Sequence, residues 1–181
     1  MKEIVFISSR IEELAEERNV VEKAVSELWN REGIPFKFWR SENAKEIPSG
    51  KNIDKIQSEI IKKSGIYVLI LGSEYGDSEY GESPTHKEYK VACSEVEEDC
   101  ILIYIKEVED RDEKVDRWME DIKKKNKHTY KLFKNSDELK DFVEIRLRHL
   151  WNMRKGCMEV TIPKSLHVPK LYCSNSKSSS Y

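Results

Sequence analysis

Apolar residues follow two textures along this chain: short dense runs, and longer stretches in which they recur every three or four positions. The first run, residues 3–8 (EIVFIS), is too short for a buried helix and is ended by Ser8-Ser9-Arg10. From Ile11 to about Arg31, the positions Ile11, Leu14, Val21, Ala24, Val25, Leu28 and Trp29 keep helical spacing, and Gly33 marks the stop. Residues 35–39 (PFKFW) predict a second strand, followed by a polar loop over 40–51. Ile53, Ile56, Ile60 and Ile61 predict a second helix closed by Gly65, and 66–71 (IYVLIL) a buried third strand. A loop rich in glycine and tyrosine, 72–81, leads to a third helix with a well-marked start. Ser83 suits the cap, Pro84 the first helical position, and Thr85 adds a hydroxyl in the opening turn. Tyr89, Ala92, Cys93 and Val96 form its apolar stripe, with Glu88 at the stripe's loop-facing border.

The run 100–105 (CILIYI) is almost wholly apolar, as expected of a parallel strand covered on both faces. Val115, Trp118, Met119 and Ile122 predict a shorter amphipathic helix, and 128–133 a more polar edge strand. Asn135 and Glu138 resemble a capping box, opening a last helix with Leu139, Phe142, Val143, Leu147, Leu150 and Trp151 inward. Periodicity stops near Lys155. We therefore expect one α/β domain over 1–154 and a poorly ordered tail or linker over 155–181. The alternation of strand and helix predicts a three-layer α/β sandwich with a five-stranded parallel sheet in the flavodoxin-like order 2-1-3-4-5. Such sheets bind ligands outside the carboxyl ends of strands, where the chain reverses direction. Ser8, Ser9 and Arg10 follow the first strand, Trp39 closes the second, and Gly72, Tyr75, Gly76 and Tyr80 follow the third. Hydroxyls, backbone donors, aromatic faces and the Glu88 carboxylate suit a nucleotide or nucleoside ligand. The loop after the second strand is placed to fold over it.

Composition narrows the classes. Charged residues make up 36% of the 181, with a formal net charge of −2, so no bulk basic field argues for nucleic acid. There is no secretory pattern at the start and no apolar run of membrane-spanning length, so no membrane partner is expected. Cys93, Cys100, Cys157 and Cys173 lack CxxC spacing, and His86, His128, His149 and His167 lack metal spacing. Reduced thiols in a cytoplasmic setting, without metal or disulfide framework, are the expectation. Arg18 lies on the inner face of the first helix, where a snorkelling or carboxylate-paired arginine outweighs a ligand contact. His86 reads as a solvated first-turn residue, Cys93 as packing, and the lysine-rich run 123–134 as a solvated helix end and edge strand.

The segments FISS–R, LAEERN, LILGSEYG and SPTHKEYKVA, followed by ILIYIK, resemble a TIR-like family of unknown function found ahead of STAND-type NTPases. The likeness covers roughly residues 3 to 150 and carries over Ser8, Ser9, Leu14, Glu17, Arg18, Gly72, Tyr75, Gly76, Ser83, Thr85, Glu88, Tyr89 and Ala92. That family is similar to TIR domains, whose glutamate on the helix after the third strand cleaves the nicotinamide–ribose bond of NAD. Here the corresponding residue is Glu88. The resemblance thus implies a TIR-like fold with Glu88 as catalytic carboxylate and NAD as substrate, not cofactor, in defence or stress signalling. It also implies self-association or a larger NTPase or repeat partner. His86-Lys87 precedes Glu88 where the family often has an acidic or polar residue, and Glu42 is the substitute for its acidic residue after the second strand. Two classes stay open: an NAD-cleaving N-glycosidic hydrolase, with a nucleoside deoxyribosyltransferase-like enzyme as variant, and a non-catalytic self-association or adaptor module.

Overall fold

The structure, a computed structural model, describes residues 3–41, 52–76, 81–124 and 129–159. Within them the alternation of textures becomes β1 (Ile4–Ser8), α1 (Ala15–Glu32), β2 (Lys37–Arg40), α2 (Ile53–Lys63), β3 (Ile66–Leu71), α3 (Pro84–Glu95), β4 (Ile101–Lys106), α4 (Glu113–Lys124), β5 (Tyr130–Phe133) and α5 (Ser136–Glu159). All ladders are parallel and the strand order is β2-β1-β3-β4-β5, the flavodoxin-like order expected from the sequence. The register sets Phe6 of β1 beside Trp39 and Tyr67, and Ser8 beside Leu69. Because side chains alternate across a strand, Phe6 and Ser8 look to one face and Val5, Ile7 and Ser9 to the other.

Helices α1 and α5 pack together, as do α2 and α3. In the core β3 is buried throughout, and Val21, Ala24, Leu28, Leu139, Val143 and Leu147 close α1 and α5 over the sheet. Gly33 ends α1 at φ 64°, and its N–H reaches back to the Leu28 and Trp29 carbonyls. At α5 the cap forms, with Asn135 Oδ1 accepting from the Glu138 N–H at 3.0 Å, while the Glu138 carboxylate accepts from the Lys134 N–H at 2.7 Å instead of from Asn135.

Several boundaries move for identifiable reasons. Helix α1 begins only at Ala15, because its N-cap, Leu14, offers no side-chain acceptor, and Ile11 lies exposed in the preceding turn. Strand β2 starts after Pro35, which has no N–H to give a ladder. The cap of α2 is Ser64 in an extended conformation, not Gly65. Helix α5 continues to Glu159, past the end of sequence periodicity at Lys155. Trp29, assigned inward by spacing, is 50% exposed. Glu42, Tyr80, His128, His167, Cys173 and the chain beyond 159 lie outside the described residues.

Candidate active site

Parallel pairing brings the carboxyl ends of β1 and β3 to one edge, and the face on which each residue emerges decides its partners. Ser8 emerges toward α3, and its Oγ donates to Glu88 Oε2 at 2.5 Å. Glu88 is held there by the start of its helix: Ser83 Oγ accepts from the His86 N–H at 3.3 Å, and Pro84 occupies the first helical position. Glu88 is half-buried and Ser8 almost wholly buried. Trp39, Phe6 and Tyr67 stack across three strands on the same face, at 4.7 and 5.7 Å between centroids. Burial pushes the Tyr67 hydroxyl pKa well up, and the neighbouring Glu88 carboxylate pushes it further. Burial likewise raises Tyr89, assisted by Cys93.

Ser9 emerges on the opposite face. Its Oγ accepts from Arg18 Nη1 at 2.9 Å, while Arg18 Nη2 donates to Ser41 Oγ at 3.4 Å. Arg18 has no exposed surface, so it does not snorkel; it ties the end of β1 to the end of β2 from inside α1. Beside it the buried Glu17 accepts from Lys106 Nζ at 2.6 Å, linking α1 to the end of β4. These charges keep partners because an unpaired buried charge is costly.

The loop after β3 is arranged around a residue that sequence reasoning passed over. The Glu13 carboxylate accepts from the Ser73 N–H, from Ser73 Oγ at 2.6 Å and from the Glu74 N–H at 3.1 Å. A Cβ at Gly72 would overlap that carboxylate, so a larger residue there would push Glu13 off the loop. The backbone donors expected to meet a ligand's phosphate are thus taken by the chain's own carboxylate. Arg10 Nε donates to Glu74 Oε2 at 2.5 Å and packs over Gly76, which has φ 88°. Tyr75 is buried, with its hydroxyl 2.7 Å from His86 Nδ1. His86 lies flat on Trp118 of α4 at 4.2 Å, so it is a packed member of an aromatic cluster and not a solvated residue. Cys93 is exposed rather than part of the inner stripe, which Ala92 and Val96 supply.

The nominated residues therefore fall into three groups. Ser8, Glu88 and Trp39 share the α3 face. Ser9 faces α1 with Arg18. Arg10, Tyr75 and Gly76 line a separate open cleft of about 430 Å³ with Ser73, Glu74 and Arg111, and Thr85 meets Arg10, Gly72 and Tyr75 at its inner end. Ser83 serves as the cap of α3 and is 1% exposed. Glu13, Tyr67 and Trp118 are not read as site residues from the sequence; a charged residue ahead of α1 and two apolar-pattern positions carry no local signal of what they meet. Among the described residues no group of three His, Cys, Asp or Glu side chains is placed to hold a metal, and no helix is long and apolar enough to cross a membrane. Glu88, hydrogen-bonded and partly open, has the character of a carboxylate that can accept ribose hydroxyls or stabilise a developing cation.

Three solved structures illustrate the likeness of fold. The flavodiiron core Flv1 from Synechocystis is 10% identical, with a TM-score of 0.45, and the match covers 84% of this chain and 36% of that one. The TIR domains of the activated Roq1 resistosome, which recognises the pathogen effector XopQ, are 13% identical at a TM-score of 0.42, covering 80% of this chain and 83% of theirs. A general stress protein in complex with FMN from Treponema denticola is 12% identical at 0.38, covering 88% of this chain and all of its own. Among curated proteins, no relative matches the chain. A family model does match, over residues 4–148, and the chain therefore belongs to the family described as Domain of unknown function (DUF4062).

Proposed function

We propose that this domain handles a nucleotide at the carboxyl edge of its sheet, and that Glu88 is the carboxylate acting on an N-glycosidic bond, with NAD as the candidate substrate. The observation that carries the reading is the Ser8–Glu88 pair: a partly open carboxylate, oriented by a buried hydroxyl, beside the reversal point of the sheet. Cleaving a nicotinamide–ribose bond passes through an oxocarbenium-like state, which such an anion stabilises or traps. Nicotinamide is already a good leaving group, so one carboxylate suffices where sugar hydrolysis uses two. The resemblance of the sequence motifs to TIR domains, whose helix after the third strand carries a glutamate, supports this reading.

A second reading is favoured by the neighbouring loop. Tyr75 packs edge-on against both His86 and Trp118, and Glu13 takes the donors of the β3 loop, as suits a non-catalytic module that assembles through its surface. Incubating the purified chain with NAD and with a nucleoside panel, over a range of protein concentrations, and separating products by liquid chromatography decides between them. Release of nicotinamide supports the enzyme. Unchanged NAD and nucleosides at every concentration would leave the assembly module.

A further inference from the structure

Tyr67 sits in the middle of the sheet with no exposed surface, and its ring is accounted for by stacking on Phe6. A phenylalanine would fill that space equally well. The hydroxyl is another matter: Tyr67 Oη is buried and has no hydrogen-bond partner. A buried hydroxyl left unmatched costs free energy and calls for a reason. The register supplies one. Tyr67 pairs with Phe6, so Ser8, two residues further along β1, stands diagonally ahead of it on the same face, within reach of a long side chain. Ser8 is the residue that donates to Glu88.

We infer that Tyr67 is a positioning residue for Glu88, acting through Ser8: its hydroxyl proton serves Ser8 Oγ and leaves the proton of Ser8 directed at the Glu88 carboxylate. This rests on the proposed role of Glu88 for its functional meaning. Burial and the Glu88 charge hold the Tyr67 proton in place, so the hydroxyl remains a donor. Ser8 is near enough to act on that hydroxyl, although the geometry of a complete hydrogen bond is not met. A chain of hydroxyls ending on a carboxylate is polarised along its length, which favours the ionised form and fixes the direction of its lone pairs.

Tyr67→Phe removes the hydroxyl and keeps the ring. The Glu88 carboxyl is followed by carbon NMR during a pH titration of the intact chain, its signal identified by Glu88→Gln. Glu88, Tyr89 and Cys93 all act on Tyr67 from α3, and the Lys87–Asp54 pair bridges α3 and α2 beside them. Asp54→Asn identifies the carboxyl signal of Asp54. We expect Tyr67→Phe to raise the Glu88 midpoint by about half a pH unit or more, with no gain in melting temperature, because an anion that loses donors is protonated more readily. Ser8→Ala should raise it too, and Tyr67→Phe should add nothing in that background. An unmoved midpoint would overturn the inference, and a higher melting temperature beside it would show an idle buried hydroxyl. A full additional shift in the Ser8→Ala background would also overturn it, since Tyr67 would then act by another route. Should Tyr67→Phe not fold, a Glu88 midpoint unmoved by Ser8→Ala is sufficient refutation. The titration needs no turnover, so a chain inactive toward NAD leaves this result standing or falling by itself.

Discussion

Glu88, Arg18 and Glu13 each present a charge to the interior or to a half-buried edge, and each is held by different chemistry. For Glu88, replacement by glutamine keeps the shape and an acceptor for the Ser8 hydroxyl while removing the anion. If NAD is turned over, Glu88→Gln should lower kcat by a factor of several hundred, equivalent to about 3–4 kcal/mol of transition-state stabilisation. The melting temperature should hardly move. Arg18 donates to Ser9 and Ser41 with no exposed surface. Arg18→Met should cost about 2–3 kcal/mol, read as a lower urea midpoint, because bonds to a charged donor are lost where water cannot replace them. Glu13 is held by three donors of the β3 loop, and Glu13→Gln turns an amide N–H₂ toward groups that need an acceptor. Faster hydrogen exchange at the Ser73 and Glu74 amides should follow, with the core strands unchanged.

At the scale of elements, α3 brings the candidate carboxylate to the sheet edge, and its orientation depends on how it starts. Ser83 caps it, and Pro84 supplies a preset φ at the first position. Ser83→Ala should cost about 1 kcal/mol of stability. It should also loosen Glu88 relative to Ser8, so any turnover should fall in kcat more than in KM. These signals were legible in the sequence because caps are local chemistry: a hydroxyl, a ring and an amide within one turn. The start of α1 was not, since apolar spacing continues through Ile11 and Leu14 while the residue at the cap offers no acceptor. The same limit explains Trp29 and Cys93. Helical spacing names a face, and the width of that face which finds a neighbour depends on what lies across from it.

For the whole molecule, acid should loosen the α1–α5 layer. Lys140 hydrogen-bonds Glu27 and Arg148 grips Glu32 bidentately, each holding its carboxyl below the usual glutamate range; Lys90 does the same for Glu82 at α3. A carboxyl whose pKa is lower in the folded chain contributes stability above its unfolded value, near 4.5, and loses it as pH falls through the folded value. The urea midpoint should therefore be steady from about pH 6 to 7 and decline below about pH 4.5. In Glu27→Gln/Glu32→Gln the decline should be shallower and the neutral-pH midpoint lower. High salt should reduce the part of the difference that comes from Arg148–Glu32, the more exposed of the two pairs.

The order of strands and helices, the parallel sheet and the position of Glu88 on the third helix followed from the sequence alone. Each rests on interactions that are local or periodic: alternation of dense and spaced apolar runs, caps, and the right-handed crossover that leaves few topologies to choose among. The grouping of the site was decided only by tertiary structure. Ser8 and Ser9 are adjacent in sequence, yet strand pleating sends one to Glu88 and the other to Arg18. Glu13 meets Ser73 across sixty residues, and Tyr67 comes beneath Ser8 only through the register of β1 on β3. No local pattern encodes such meetings, because they depend on the relative placement of elements that contribute their own periodicity and nothing about their partner's.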